Sequence, residues 1–308
     1  GGACFGCAID AIVVTMNDDD VETVMFVAVG SKDAVMTNTT TNDLMTTGVV
    51  QVFSMTDNAS GEWQQIGSIL QGEADKYQFG YAVALSKTIV SNNNDEEMIL
   101  LRLAIGAPGG DYARVYESVS NDVTAKGGDW TLLGRVDGET VGDRFGSQVA
   151  LSQDGTVLAV AAPRNSASPI CFGSGHVRVY KQQQDDDGGA LWNQLGDDIN
   201  GDKDGQFGFS LALSADGTRL AGGANLDYGD ANGFATGRVR VFDYYDDGSW
   251  MQVGDDLFGD TKGDEFGQSV ALSNDGTVLV VGTKFGVGGG DDMERTGHVK
   301  AYYEEASS

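Results

Sequence analysis

A Phe-Gly pair followed by a short run of alternating apolar residues occurs five times, at Phe5-Gly6, Phe79-Gly80, Phe145-Gly146, Phe207-Gly208 and Phe266-Gly267. The spacings are 74, 66, 62 and 59 residues, and four tryptophans, Trp63, Trp130, Trp192 and Trp250, keep the same rhythm. A period of this length means one structural unit copied along the chain, each copy burying its apolar face against the next. The 308 residues therefore read as a single domain, 1–308, with units of roughly 4–76, 77–143, 144–205, 206–264 and 265–308.

The three most similar copies are RFGSQVALSQDGTVLAVAAP from residue 144, QFGFSLALSADGTRLAGGAN from 206 and EFGQSVALSNDGTVLVVGTK from 265. Each holds two period-two strands around Asp154-Gly155, Asp216-Gly217 or Asp275-Gly276, pairs expected to supply the positive φ of a tight hairpin. A variable loop leads to a third strand marked Gly-x-Val-x-Val-Tyr/Phe, as in Gly175-His176-Val177-Arg178-Val179-Tyr180, and a fourth carries the tryptophan. No segment sustains a 3.6-residue period. Four short antiparallel strands per unit predict an all-β fold, a β-propeller of about five four-stranded antiparallel blades. The small residues of the Phe-Gly strands, such as Ser210, Ala212, Ser269 and Ala271, suit the crowded axis, and the Trp and Phe rings the wedges between blades. The last blade reads as incomplete, because residues 265–308 contain no tryptophan strand.

The Phe-Gly strand followed by Gly106-Ala107-Pro108, or Ala161-Ala162-Pro163 in the next copy, resembles the FG-GAP repeat of integrin α-subunit propellers and related secreted proteins. The resemblance spans nearly the whole chain, although the Gly-Ala-Pro element is complete only in the second copy. It implies display outside the cell or in a luminal compartment and a role in interaction rather than catalysis. The family's familiar propeller has seven blades, and five are present here. Either the last blade has three strands, or further sequence belongs to it, or a strand from another molecule completes the ring. The first Phe-Gly, at residue 5, sets the expectation that the sequence starts inside a unit.

Charge narrows the partners. Acidic residues outnumber basic ones 46 to 19, a formal net charge of -27, so nucleic acid meets repulsion over most of the surface. No stretch approaches the roughly 20 apolar residues of a membrane helix, and the first residues lack the pattern of a signal peptide. The odd set Cys4, Cys7 and Cys171 defines no disulfide framework, and Cys4-x-x-Cys7 has no second ligand pair for zinc.

His176 and His298 hold the same slot in two different copies, which places them far apart on a ring and argues against a shared catalytic site. Asp10 is the only acid within a Phe-Gly strand. No nucleophile elbow or phosphate loop is present, and the chain reads as non-enzymatic. The constellation nearest to ligand chemistry lies at the junctions between units, where Gly is followed by Glu73, Glu139, Asp202 or Asp260 and then by a second carboxylate, Asp75, Asp143, Asp204 or Asp264. Such spacing suits calcium, above all Asn200-x-Asp202-x-Asp204-Gly205, although turn chemistry explains it equally well. The calcium loops that the resemblance implies, between the first two strands of a blade, do not carry over, because that hairpin is too short here.

Antiparallel order puts the junctions on one face with the long loops between second and third strands. Rigid scaffolds commonly place binding specificity in such loops. Asp227, Tyr228, Asp230 and Phe234 in one, and Asp291, Asp292, Glu294 and Arg295 in another, are candidate contacts for a polysaccharide or a basic protein. Two other readings stay open. The unfinished last blade could accept a strand in an assembly, or the domain could be the accessory part of an enzyme whose catalytic unit lies elsewhere.

Overall fold

The computed structural model describes residues 8–16, 22–37, 44–56, 62–91, 97–120, 128–166, 173–184, 189–227, 236–261, 263–285 and 297–304. Phe5-Gly6 and the three cysteines lie outside them. The described residues form β-strands and turns, with no helix and so none long and apolar enough to cross a membrane.

Each repeat makes one antiparallel sheet whose strands pair in chain order. In the first sheet β1 (Ala8–Met16) and β2 (Glu22–Ser31) precede β5 (Val49–Thr56) and β6 (Gln64–Gln71), while β3 (Val35–Thr37) and β4 (Leu44–Thr46) form a small hairpin in the connecting loop. The second sheet comprises β7 (Ala82–Ser91), β8 (Glu97–Ala107), β9 (Tyr112–Ser120) and β10 (Thr131–Asp137). The third comprises β11 (Gln148–Leu151), β12 (Val157–Ala162), β13 (His176–Gln184) and β14 (Ala190–Gln194), with β15 (Ile199–Asn200) pairing back onto β13. The fourth is β16 (Ser210–Leu213), β17 (Arg219–Ala224), β18 (Arg238–Tyr244) and β19 (Trp250–Phe258). The fifth has three strands, β20 (Phe266–Leu272), β21 (Val278–Thr283) and β22 (His298–Tyr303).

Consecutive sheets pack face on face. The strand after each Phe-Gly lies against the sheet before it, β7 on β1 and β2, β11 on β7 and β8, and β20 on β16, β17 and β18. That is why β12, VLAVAA, is buried along its whole length rather than alternately, since it has a sheet on either side. The Phe-Gly pair makes the close approach. Phe79, Phe145, Phe207 and Phe266 are buried, and each ring meets edge-on the aromatic that ends the third-strand motif, Tyr116, Tyr180, Phe242 or Tyr302. The paired glycine has positive φ each time, 82° at Gly80 and 90° at Gly146, and its backbone stacks on a glycine of the preceding sheet: Gly80 on Gly30, Gly146 on Gly106, Gly267 on Gly223. The tryptophans make an outer latch. Trp130 Nε1 donates to the Ile66 carbonyl at 3.2 Å and Trp250 Nε1 to the Leu195 carbonyl at 2.8 Å, each indole crossing a glycine of the repeat before, Gly67 in β6 and Gly196 just past β14.

The Asp-Gly hairpins differ from the expected form. Only Gly155, Gly217 and Gly276 have positive φ. The loop is longer than two residues, because Ser152 accepts from Gly155 N at 2.9 Å and its hydroxyl accepts from Val157 N, so a type I turn ends on the left-handed glycine. Asp154 closes the loop from its side chain, taking hydrogen bonds from Ser152 Oγ at 2.6 Å and Thr156 N at 2.9 Å. The same bonds recur at Asp216 and Asp275. Burial works to raise the Asp154 pKa, but these hydrogen bonds outweigh it and hold the carboxyl below its ordinary 3.8. A depressed folded pKa adds stability above the unfolded value and loses it as pH falls through the folded one. Asp154→Ala is therefore expected to be less stable than the parent at neutral pH, by under about 1 kcal/mol because the carboxylate is exposed and screened. Thermal melts down to the acid limit should show that gap closing below pH 3.8.

Candidate functional site

The junction carboxylates already have cationic partners in the structure. Glu73 pairs with Arg114 and, at 2.8 Å, with Arg135. Glu139 pairs with Arg178, Asp202 with Arg238 and, at 2.6 Å, with Arg240, and Asp260 with Lys300 at 2.6 Å. The four cations Arg114, Arg178, Arg240 and Lys300 occupy one slot, the fourth residue of the third-strand motif, in sheets two to five. The first sheet has Gln51 in that slot, bonded to Gln65. Each junction is thus tied to the third strand of the sheet it introduces. The sequence carried a signal for this, a cation recurring opposite an equally regular acid, which the calcium reading did not use.

Behind these pairs stands a second acid. Arg178 donates to both oxygens of Asp198 at 2.8 and 2.9 Å, and Arg240 and Arg238 share Asp256, each at 2.8 Å. Burial works to raise the pKa of Asp198, but the bonds from Arg178 and Gln194 pull it down, and burial alone would lower that of Arg178 were it not for Asp198 and Glu139, which raise it. Glu139, His176 and Asp198 form the one cluster of potential metal ligands among the described residues, with ligand atoms within 4.8 Å of one another. Arg178 bonds to both carboxylates, so the cluster already holds its positive charge. His176 is enclosed, and burial lowers its pKa and favours the neutral ring.

The remaining candidate metal ligands do turn and packing work. Asp75 accepts from Thr46 N at 2.8 Å. Asp143 is buried and accepts from Asn165 Nδ2 at 2.7 Å, and Asp264 is buried and accepts from both Thr261 N and its hydroxyl. Asp204 has a positive φ of 61° in its turn, and Asn200 Nδ2 donates to the Asp198 carbonyl at 3.3 Å. The Asn200-Asp202-Asp204 series therefore does not converge on one point, since Asp202 faces the arginines. Asp111, which the sequence reading passed over, takes the third-strand position held by glycine elsewhere. Its φ is 52°, and its carboxylate accepts from Gly142, Arg144 and Phe145 N, fixing the turn ahead of the third Phe-Gly.

Of the candidate loop contacts, Asp227 is buried and both its oxygens accept from Arg238 at 2.7 Å, which directs it inward rather than to a partner. Tyr228, Asp230, Phe234, Asp291, Asp292, Glu294 and Arg295 lie outside the described residues. The base of the second of these loops does meet its junction, Phe285 N donating to the Asp264 carbonyl, and in the first repeat Lys76 N likewise donates to the Thr46 carbonyl.

A different site emerges where the sheets meet. A cavity of about 430 Å³ is lined by residues of all five repeats, Lys32 from the first, Tyr81 from the second, Gln148 from the third, Phe209 and Ser210 from the fourth, and Gln268 with Ser269 from the fifth. Tyr81, Phe209 and Gln268 are the residues directly after Phe-Gly in their copies. No carboxylate lines the cavity. Lys32 Nζ lies 4.9 Å and the Arg144 guanidinium 5.1 Å from the centre of the Tyr81 ring, and neither cation forms a salt bridge among the described residues. In a chain with net charge -27, this concentrates unpaired positive charge beside an aromatic face, amides and hydroxyls. The chain matches no protein-family model and no curated protein.

Proposed function

We propose that the chain is a β-propeller scaffold of FG-GAP type that binds rather than catalyses, and that it takes an acidic saccharide at the cavity on the axis of its sheets. The observation that carries this is the cavity lining itself, to which repeats two to five contribute residues that closely follow their Phe-Gly pairs, and the first repeat contributes Lys32, just past its second strand. A ring of sheets sharing an axis accounts for that convergence, with the first strand of each sheet innermost. Tyr81 and Phe209 suit the apolar faces of a sugar ring, Gln148 and Gln268 suit its hydroxyls, and Lys32 and Arg144 suit a carboxylate or sulfate. Location outside the cell or in a lumen, as the repeat resemblance implies, agrees with such a ligand. Calcium is not needed in this reading, because guanidinium groups and Lys300 neutralise the junction acids.

Titration with an oligogalacturonate, followed by calorimetry, tests the proposal. Binding that weakens about tenfold in Lys32→Ala or Tyr81→Ala, a loss of about 1.4 kcal/mol, and that is the same in calcium and in chelator, is the expected result. Failure to bind either this or a sulfated oligosaccharide, or undiminished binding by both variants, would remove the ligand class.

A further inference from the structure

Charge is placed unevenly around the cavity that takes the proposed saccharide, and the repeats show how. Two sequence slots set it, the residue after each second strand and the residue before each Phe-Gly. The first slot holds Lys32, Pro108, Pro163, Asn225 and Lys284, and the second, in sheets two to five, holds Gln78, Arg144, Gln206 and Glu265. Of the three cations among these residues, Lys284 lies with its Nζ 3.3 Å from Glu265 of its own repeat. The fifth repeat therefore adds no net charge from these slots. Lys32 and Arg144, from the first and third repeats, instead flank Tyr81 of the second, at 4.9 and 5.1 Å from its ring centre.

The wall that the fourth and fifth repeats supply is neutral, with Phe209, Ser210, Gln268 and Ser269. Asn225, 4% exposed, donates from Nδ2 to Gln268 Oε1 at 3.1 Å and so fixes the amide that lines the cavity. Ser210 Oγ donates to the Gly267 carbonyl at 2.7 Å, which leaves Phe209 as the ring surface and Gln268 as the main polar contact. A carboxylate beside Tyr81 is held by two cations, whereas one against Phe209 loses water and gains no opposite charge. Resting on the acidic-saccharide reading above, we propose that the cavity takes one acidic and one uncharged sugar unit in fixed order. The carboxylate lies between Lys32 and Arg144 over Tyr81, and the neutral ring lies on Phe209 with its hydroxyls at Gln268. The ligand is accordingly a glycan in which acidic and neutral sugars are neighbours, rather than a uniformly charged chain.

Calorimetric titration of the full chain with digalacturonate and with each of its two monomethyl esters tests the order. Each ester differs from the diacid by one charge and one methyl group. The ester of the unit on Phe209 should bind at least as tightly as the diacid, and the other about tenfold more weakly. Which ester is tolerated gives the direction of the saccharide in the cavity. Glu265→Gln supplies a second arm. Gln78 and Gln206 hold the same slot at φ 58° and 56°, against 54° at Glu265, so the change suits the backbone while it frees Lys284. In that variant the diacid should bind several-fold more tightly than the tolerated ester. Two esters that weaken binding equally, or a variant that does not separate diacid from ester, overturn the fixed order and leave the acidic-saccharide reading intact. Esters that both bind like the diacid show that charge is not read, and they remove that reading as well. Absence of binding by all three ligands overturns the proposal outright, and the reading then rests on the sulfated oligosaccharide.

Discussion

Gly106→Ala is expected to cost about 3 kcal/mol or more, and the equivalent Gly282→Ala less than about 1 kcal/mol. Neither glycine has a positive φ, so backbone strain does not separate them. The difference is space. A methyl group on Gly106 would fall within the carbonyl of Gly146, backbone of the next sheet that cannot turn aside. One on Gly282 meets only the hydroxyl of Ser269, which rotates away at small cost. The alanine also lowers the entropy of the unfolded chain, by roughly 0.4–1 kcal/mol, which offsets part of either penalty. Urea melts with unchanged slope would report the two midpoints directly. Equal midpoints would show that the close stacking of sheets contributes little to stability.

Arg178→Met is expected to cost about 2–3 kcal/mol, whereas Glu139→Gln costs under about 1 kcal/mol. The guanidinium is largely enclosed, at 10% exposure, and holds Asp198 by two hydrogen bonds, while the Glu139 side chain is half in solvent. Removing the arginine leaves Asp198 partly buried with its charge uncompensated, beside a His176 whose burial opposes taking up a proton. Removing Glu139 leaves an arginine still satisfied. Chemical denaturation of the two single variants and of the double variant would give the coupling between them. A loss at Glu139→Gln as large as that at Arg178→Met would mean that the junction contact, rather than the pair within the third sheet, carries the stability of this cluster.

Much of the fold was legible because its signals are local. Strand period, turn residues and the Phe-Gly rhythm act over a few residues, and the order of strands in all five sheets follows from short antiparallel connections. The three-stranded last sheet was legible too, as a missing tryptophan strand. The turn at Asp154 was misread in detail because a dipeptide does not reveal whether aspartate bends its own backbone or caps its neighbours, and the hydroxyls of Ser152 and Thr156 decide for capping. The basic partners of the junction acids, which neither the calcium reading nor the turn reading anticipated, were missed for a related reason. They lie far along the chain, 38 residues from Asp202 to Arg240 and 40 from Asp260 to Lys300, and only the stacking of sheets brings acid and base together.

The sequence by itself determined the all-β class of fold and the positions where glycine and aromatic residues must fall, because each follows from backbone sterics and side-chain alternation within one repeat. Tertiary structure alone decided which charges are spent and which stay available. Arg178 and its equivalents are consumed by the junctions, while Lys32 and Arg144 remain beside Tyr81. It also decided how enclosed equivalent positions are. Val177 and Val299 sit in the same motif, and only their surroundings separate them, Val177 being fully enclosed between the third sheet and the strand after Phe207-Gly208 while Val299 is 69% exposed.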